Sequence, residues 1–210
     1  MVRYDHGCLY AYQTQRFTSG TADERCRKNV EEAYTYLAQN RLPVILAGNW
    51  IGYVHDIGPA DAKAPLRHDE PGYFAYLEQR LVAGLERIGA GERAVVLVKQ
   101  PYSTGVDIAK CLSQPGVGES AKASRSVAQS RSHAMRSAAE ADRMIENVVK
   151  RYPSIVTIDP KVVFCRDEVC KVSDEGALYF RDTGHLTNEG SLFMVEGVRE
   201  TLLKLFRGKP

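Results

Sequence analysis

Nowhere in its 210 residues does the sequence hold an unbroken run of about 18 apolar residues, the length needed to cross a bilayer as a helix. The opening stretch, "MVRYDHGCLYAYQ", also lacks the apolar core of a signal peptide. As written, the chain has no route out of the cytoplasm. It has little charge of either sign to spare: 28 Lys and Arg against 26 Asp and Glu leave a formal +2, with the basic residues scattered. Arg125, Arg131 and Arg136 form only a mild run, read as a solvated helix face. Nothing in this balance calls for nucleic acid or a membrane surface as partner. No Cys-x-x-Cys pair or His/Cys cluster offers a zinc site, and no cofactor motif is present, so no metal and no cofactor is expected. Internal repeats and low-complexity tracts are absent, and there is a single Trp.

What remains suits one domain over residues 1–210, with enough apolar residues to build a core. Five cysteines pull against a cytoplasmic reading. Cys165 and Cys170 flank a short charged stretch in "FCRDEVCKV"; Cys8 and Cys26 bracket a polar loop ahead of the first strong helix; Cys111 is left over. Two disulfides and one odd thiol fit this count, and so do five reduced structural cysteines, because spacing alone does not choose connectivity.

Periodicity then organises the chain. The first 25 residues show little. From Arg27, "RKNVEEAYTYLAQNR" places Val30, Ala33, Tyr34 and Leu37 on one helical face. "LPVILAGNW" reads as a short buried strand running into a loop. After a loop rich in Gly, Pro and Asp, a second helix puts Phe74, Leu77, Leu81, Leu85 and Ile88 inward and stops at glycines. "ERAVVLVKQP" is a second buried strand, followed by a polar loop from Ser103 to Ser120. A third helix fills 124–153, with Met135, Ala138, Ile145, Val148 and Val149 inward. "SIVTIDP" is a third strand, and "KVVFCRDEVCKV" is expected to form a hairpin. The last helix runs from about Thr187 to Phe206, with Leu192, Val195, Val198, Leu202 and Leu205 inward. Alternating helices and strands predict a parallel sheet sandwiched by helices, with function at the loops that leave the carboxyl ends of the strands.

Two such loops carry chemistry. "YFRDTGHLTNEG" sets Asp182 three residues before His185 on a tight loop with Gly184, and Thr187 stands ready to cap the following helix. A histidine that takes a proton from a hydroxyl needs a carboxylate to hold its tautomer and to stabilise its cationic form. The bland alternative is an exposed loop His beside a loop Asp. In "AGNW", Asn49 ends a strand, where its side chain can donate to a developing oxyanion; the alternative is turn punctuation after Gly48. Gly48 lets the backbone approach closely, and Trp50 reads as core or pocket wall.

Taken together, "CRKNVEEAYTYLAQNRLPVILAGNW", a strand ending "KQP", and "CRDEVCKVSDEGALYFRDTGHLTNEGSLFM" resemble the SGNH-type domain attached to acyltransferase-three membrane proteins, bacterial O-acyltransferases of cell-envelope polysaccharides. The resemblance runs from Cys8 to the last helix. Its most specific part is the Cys pair, the aromatic "LYF", Asp-x-x-His-Leu-Thr, and a Gly in the next helix. It implies a three-layer α/β/α sandwich with a mainly parallel, SGNH/flavodoxin-like sheet. It also implies a periplasmic or other extracytoplasmic location, and disulfides Cys8–Cys26 and Cys165–Cys170. His185 and Asp182 would be catalytic and Asn49 a contributor to an oxyanion hole, although Gly-Asn-Trp departs from the family's Gly-x-Asn-Asp. Expected partners are a glycan acceptor and an acyl donor reached through a membrane acyltransferase domain.

The departure matters as much. The family carries its nucleophile in a Gly-Asp-Ser block at the end of its first strand, and this chain contains none. "GES" at 118–120 follows no strand, and neither Ser103 nor Ser113 has a strand-then-helix setting. The expectation is therefore an N-terminally truncated SGNH-like domain, lacking its first strand and serine. Its sheet would be uncovered at the "PVILAG" edge, and as a fragment it would be inactive. The other expectation is a non-catalytic remnant that binds a glycan or a partner protein.

Overall fold

The computed structural model describes residues 8–51, 56–59, 61–62, 64–67, 69–108, 110, 129–174 and 177–207. Cys111, Ser113, the "GES" string and Arg125 lie outside them. The chain divides into two compact units, Met1–Gln100 with Glu140–Ile158, and Pro101–Ala139 with Asp159–Pro210.

The first unit begins with an element that the sequence did not reveal. β1 (Thr14–Thr18) pairs antiparallel with β2 (Thr21–Asp23), so the stretch between Cys8 and Cys26 contains a hairpin. Its turn places Ser19 and Gly20 at positive φ. Strands this short, with Phe17 and Ala22 as their apolar residues, leave almost no apolar period to detect. Asp23 closes the hairpin through an ion pair with Arg16, and its carboxylate also accepts from the N–H groups of Arg25 and Cys26. That cap starts α1 (Glu24–Gln39) three residues earlier than Arg27. The Cys8–Cys26 disulfide anchors the same turn. Val30, Ala33 and Tyr34 face the core, as the period predicts.

β3 (Val44–Leu46), β5 (Val95–Val98) and β6 (Val156–Ile158) form a parallel sheet in the order β3-β5-β6. The register aligns Val44 with Val95 and Leu46 with Leu97 on one face. These four join the main core with Leu77, Leu81 and Leu85 of α2 (Tyr73–Arg87). All four residues of β5 are buried, as a central parallel strand requires. β3 departs from expectation: Ile45 is 52% exposed, so this strand is buried on one face only. The loop read between Trp50 and Pro71 also holds a strand, β4 (Asp56–Pro59), which pairs antiparallel with β1.

The long third helix is two helices. α3 (Arg131–Ser137) starts on Ser130, whose hydroxyl caps His133 N–H, and a break at Ala138 separates it from α4 (Ala139–Arg151). Ala134 is the buried position in α3, with Met135 only half-buried.

In the second unit the expected hairpin over 161–172 is replaced by a short helix, α5 (Pro160–Phe164). Asp159 caps it and Pro160 opens it. The Cys165–Cys170 disulfide closes the turn that follows. The real hairpin comes next, as β7 (Ser173–Asp174) with β8 (Ala177–Leu178). α6 (Asn188–Arg207) keeps Val198 inward as predicted but turns the predicted face outward nearer its start. Leu192 and Val195 are 66% and 49% exposed, while Phe193, Met194 and Val198 pack on the aromatic core. Glycine decides this orientation. A Cβ on Gly190 would collide with the Tyr179 carbonyl, and one on Gly197 would come within 2.5 Å of Val163 Cγ1. Small residues let this side of the helix approach more closely than a leucine stripe would.

Candidate functional site

The loop between Phe180 and Leu186 is closed by its own backbone: Arg181 N–H donates to the His185 carbonyl at 3.0 Å, and Phe180 and Leu186 form an isolated antiparallel bridge. Inside it, Asp182 Oδ1 accepts from the N–H groups of Gly184 (2.9 Å) and His185 (2.8 Å), an Asx-type turn. The same carboxylate meets His185 Nδ1 at 2.8 Å through Oδ2 and 3.0 Å through Oδ1. An ionised carboxylate only accepts, so Nδ1 carries the proton and Nε2 holds the lone pair in the neutral ring. Burial acts to raise the Asp182 carboxyl, but the two backbone N–H groups and the imidazole outweigh it and hold the group below its ordinary value. Both side chains remain about one-third exposed, so a reactant can reach them.

The loop is tethered from outside as well. The Thr183 carbonyl accepts from Thr104 N–H at 2.8 Å and from the Ser103 hydroxyl at 2.9 Å. Thr104 Oγ1 lies 3.1 Å from that carbonyl but only 2.6 Å from Val106 O, and its single proton favours the latter. Tyr102, 2% exposed, donates to the Lys171 carbonyl at 2.7 Å, just past the disulfide. Its ring meets Phe164 and Phe180 edge-on. Thr187 secures the exit: its hydroxyl accepts from Gly190 N–H and donates to the Leu178 carbonyl.

Asn49 belongs to the first unit and sits half-buried after β3. Its Oδ1 accepts from Gln100 Nε2 at 3.0 Å, and Gln100 Oε1 accepts from Ile51 N–H at 3.2 Å. Trp50 is core, 1% exposed, with its indole N–H donating to the Val98 carbonyl at 2.8 Å. A Cβ on Gly48 would touch Leu9 Cδ1 at 3.0 Å, which is the close approach that the glycine permits. The structure therefore brings Asp182 and His185 together and builds Asn49 into a separate, equally specific arrangement. Sequence reasoning missed Gln100 and Thr104, and weighed Ser103 as a nucleophile only. The available signal was "KQPYST", a polar run placed directly at the end of a wholly buried strand.

Among the described residues, no helix is long and apolar enough to cross a membrane, and no group of three His, Cys, Asp or Glu is placed to hold a metal ion.

No curated protein matches the chain. Among solved structures it is similar to the periplasmic domain of a lipopolysaccharide acetyltransferase from Salmonella ser. Paratyphi A, with a TM-score of 0.53 and 14% identity over 90% of this chain and 68% of that one. At this identity the likeness concerns the fold. The two disulfides join the cysteine pairs that the resemblance implied. The SGNH domain that occurs fused to AT3 domains matches residues 2–200, and the chain belongs to that family.

Proposed function

We propose that this chain is the SGNH portion of a cell-envelope polysaccharide O-acyltransferase, acting in the periplasm beside a membrane acyltransferase domain. The observation that carries the reading is the His185 Nδ1–Asp182 Oδ2 contact of 2.8 Å on a loop whose own backbone orients the carboxylate. In this reading a serine supplied from outside these 210 residues loses its hydroxyl proton to His185 Nε2 and bonds to the acyl carbon, expelling the donor. His185 returns the proton to the leaving group, and Asp182 stabilises the imidazolium meanwhile. A sugar hydroxyl then gives its proton to His185 and attacks the acyl-serine, and the serine leaves protonated; water in its place gives ester hydrolysis. For Asn49 the family resemblance implies the role of an oxyanion donor. The frame we propose is a three-layer α/β/α sandwich, supported by a β5 strand buried on both faces.

The test is polysaccharide acylation by the protein together with its membrane acyltransferase domain. His185→Ala is expected to abolish it, and unchanged acylation would overturn the assignment. The 210-residue chain alone is expected to give no p-nitrophenyl acetate turnover above background. A second reading, a glycan- or partner-binding module, is favoured by the absence of Gly-Asp-Ser from the sequence. Wild-type acylation by the His185→Ala protein, with glycan binding retained, is the outcome it expects.

A further inference from the structure

Gln100 is 6% exposed and stands between one partner of fixed polarity and one that could turn either way. The Ile51 backbone N–H can only donate, so the Gln100 atom at 3.2 Å from it must be the oxygen Oε1. That leaves Nε2 facing Asn49, and the Asn49 atom at 3.0 Å must then accept, which makes it Oδ1. The amide of Asn49 is thereby turned so that Oδ1 faces Gln100 and Nδ2, the donor, faces away from it. Without Gln100, either face of the Asn49 amide would serve as well, and a half-buried Asn presenting Oδ1 would repel an oxyanion.

We propose that Gln100 is a positioning residue that sets the polarity of Asn49, passing the direction of the Ile51 N–H along the relay Ile51–Gln100–Asn49 to make an oxyanion donor at its far end. The inference rests on the reading of Asn49 as an oxyanion donor. Trp50, pinned to Val98, keeps the loop that carries the relay in register with β5. The relay explains why a fully polar side chain is buried at the end of an otherwise apolar strand: an unpaired amide there would be costly, and both of its ends are used.

The variant that tests it is Gln100→Glu, almost the same shape with altered polarity. An ionised carboxylate at position 100 only accepts, so Asn49 turns its Nδ2 inward and presents Oδ1 outward. In acylation assays on the protein with its membrane domain, turnover at neutral pH is expected to fall about 100-fold with KM little changed. As pH falls, the ratio of variant to wild-type turnover is expected to rise, because the neutral carboxyl of the variant can again accept from Ile51 and donate to Asn49. Gln100→Leu gives a low ratio at every pH. Adding Gln100→Glu to Asn49→Ala is expected to cost nothing beyond Asn49→Ala itself.

An inactive Asn49→Ala beside a Gln100→Glu protein of wild-type turnover overturns the relay alone. An Asn49→Ala protein of wild-type turnover removes the oxyanion reading and the relay with it. A readout free of turnover covers variants that fail to fold. In the 15N-labelled wild-type protein, the Asn49 Nδ2 protons are expected to exchange with solvent while the Gln100 Nε2 protons are protected, and the reverse pattern overturns the proposal.

Discussion

The two loops that carry candidate site residues are held in opposite ways. The Phe180–Leu186 loop is largely self-made: Asp182 caps Gly184 and His185 and orients the imidazole within four residues of chain. Among the described residues the Gly48–Ile51 loop shows no such local closure. Asn49, Trp50 and Ile51 each bond to a residue some fifty positions away, on the last residue of β5 and the turn after it. A locally closed loop keeps its geometry when distant parts change, whereas a loop held by a neighbouring strand inherits every change in that strand.

The largest effect should come from breaking the local loop at its centre. Asp182→Asn keeps the size of the side chain but loses the carboxylate that selects the tautomer, and acyl transfer should fall roughly 1,000- to 10,000-fold. Steady-state assays of the protein with its membrane domain would check this. Next is Gly190→Ala, which drives a methyl into the Tyr179 carbonyl and should cost about 3 kcal/mol of stability in chemical denaturation. Trp50→Phe sharpens the contrast. It deletes the Val98 bond and should cost about 1–2 kcal/mol, while the His185 imidazole signals in NMR stay where they are. Ser103→Ala removes one of two donors to the Thr183 carbonyl, and Thr104 N–H remains; about 0.5–1 kcal/mol and little change in turnover are expected.

The smallest effect concerns pH. Folding holds the Asp182 carboxyl below its ordinary value, so its contribution is complete above that value, near pH 4, and is lost as pH falls through the lower, folded-state value. The difference in Tm between wild type and Asp182→Asn should therefore narrow on acidification from about pH 6 to about pH 3. Because the pair is one-third exposed, the change should be slight.

What could be read in advance follows the same division. The interiors of α1 and α2 and the all-apolar β5 emerged from spacing alone; for Asp182 and His185 spacing left a plain loop pair equally open, and the family resemblance favoured the pairing. The β1–β2 hairpin did not emerge, because three- and five-residue strands with one apolar residue each carry no period that differs from a loop. The face of α6 was misjudged for a different reason. Leu192 and Val195 fit a helical stripe, but Gly190 and Gly197 permit a closer approach on the other side, and packing followed closeness rather than apolar count. The segment after Pro160 was misread because Asp159 and Pro160 form a helix start, which outweighed the strand-like valines.

By itself, then, the sequence determined the helical faces of α1 and α2 and the apolar runs that become buried strands, and it set an aspartate within reach of a histidine, because periodicity and loop spacing are properties of near neighbours in the chain. Only the tertiary structure decided which way Asn49 turns its amide. That choice belongs to Gln100, half a hundred residues along the chain, and hydrogen-bond polarity between such distant residues leaves no trace in local spacing.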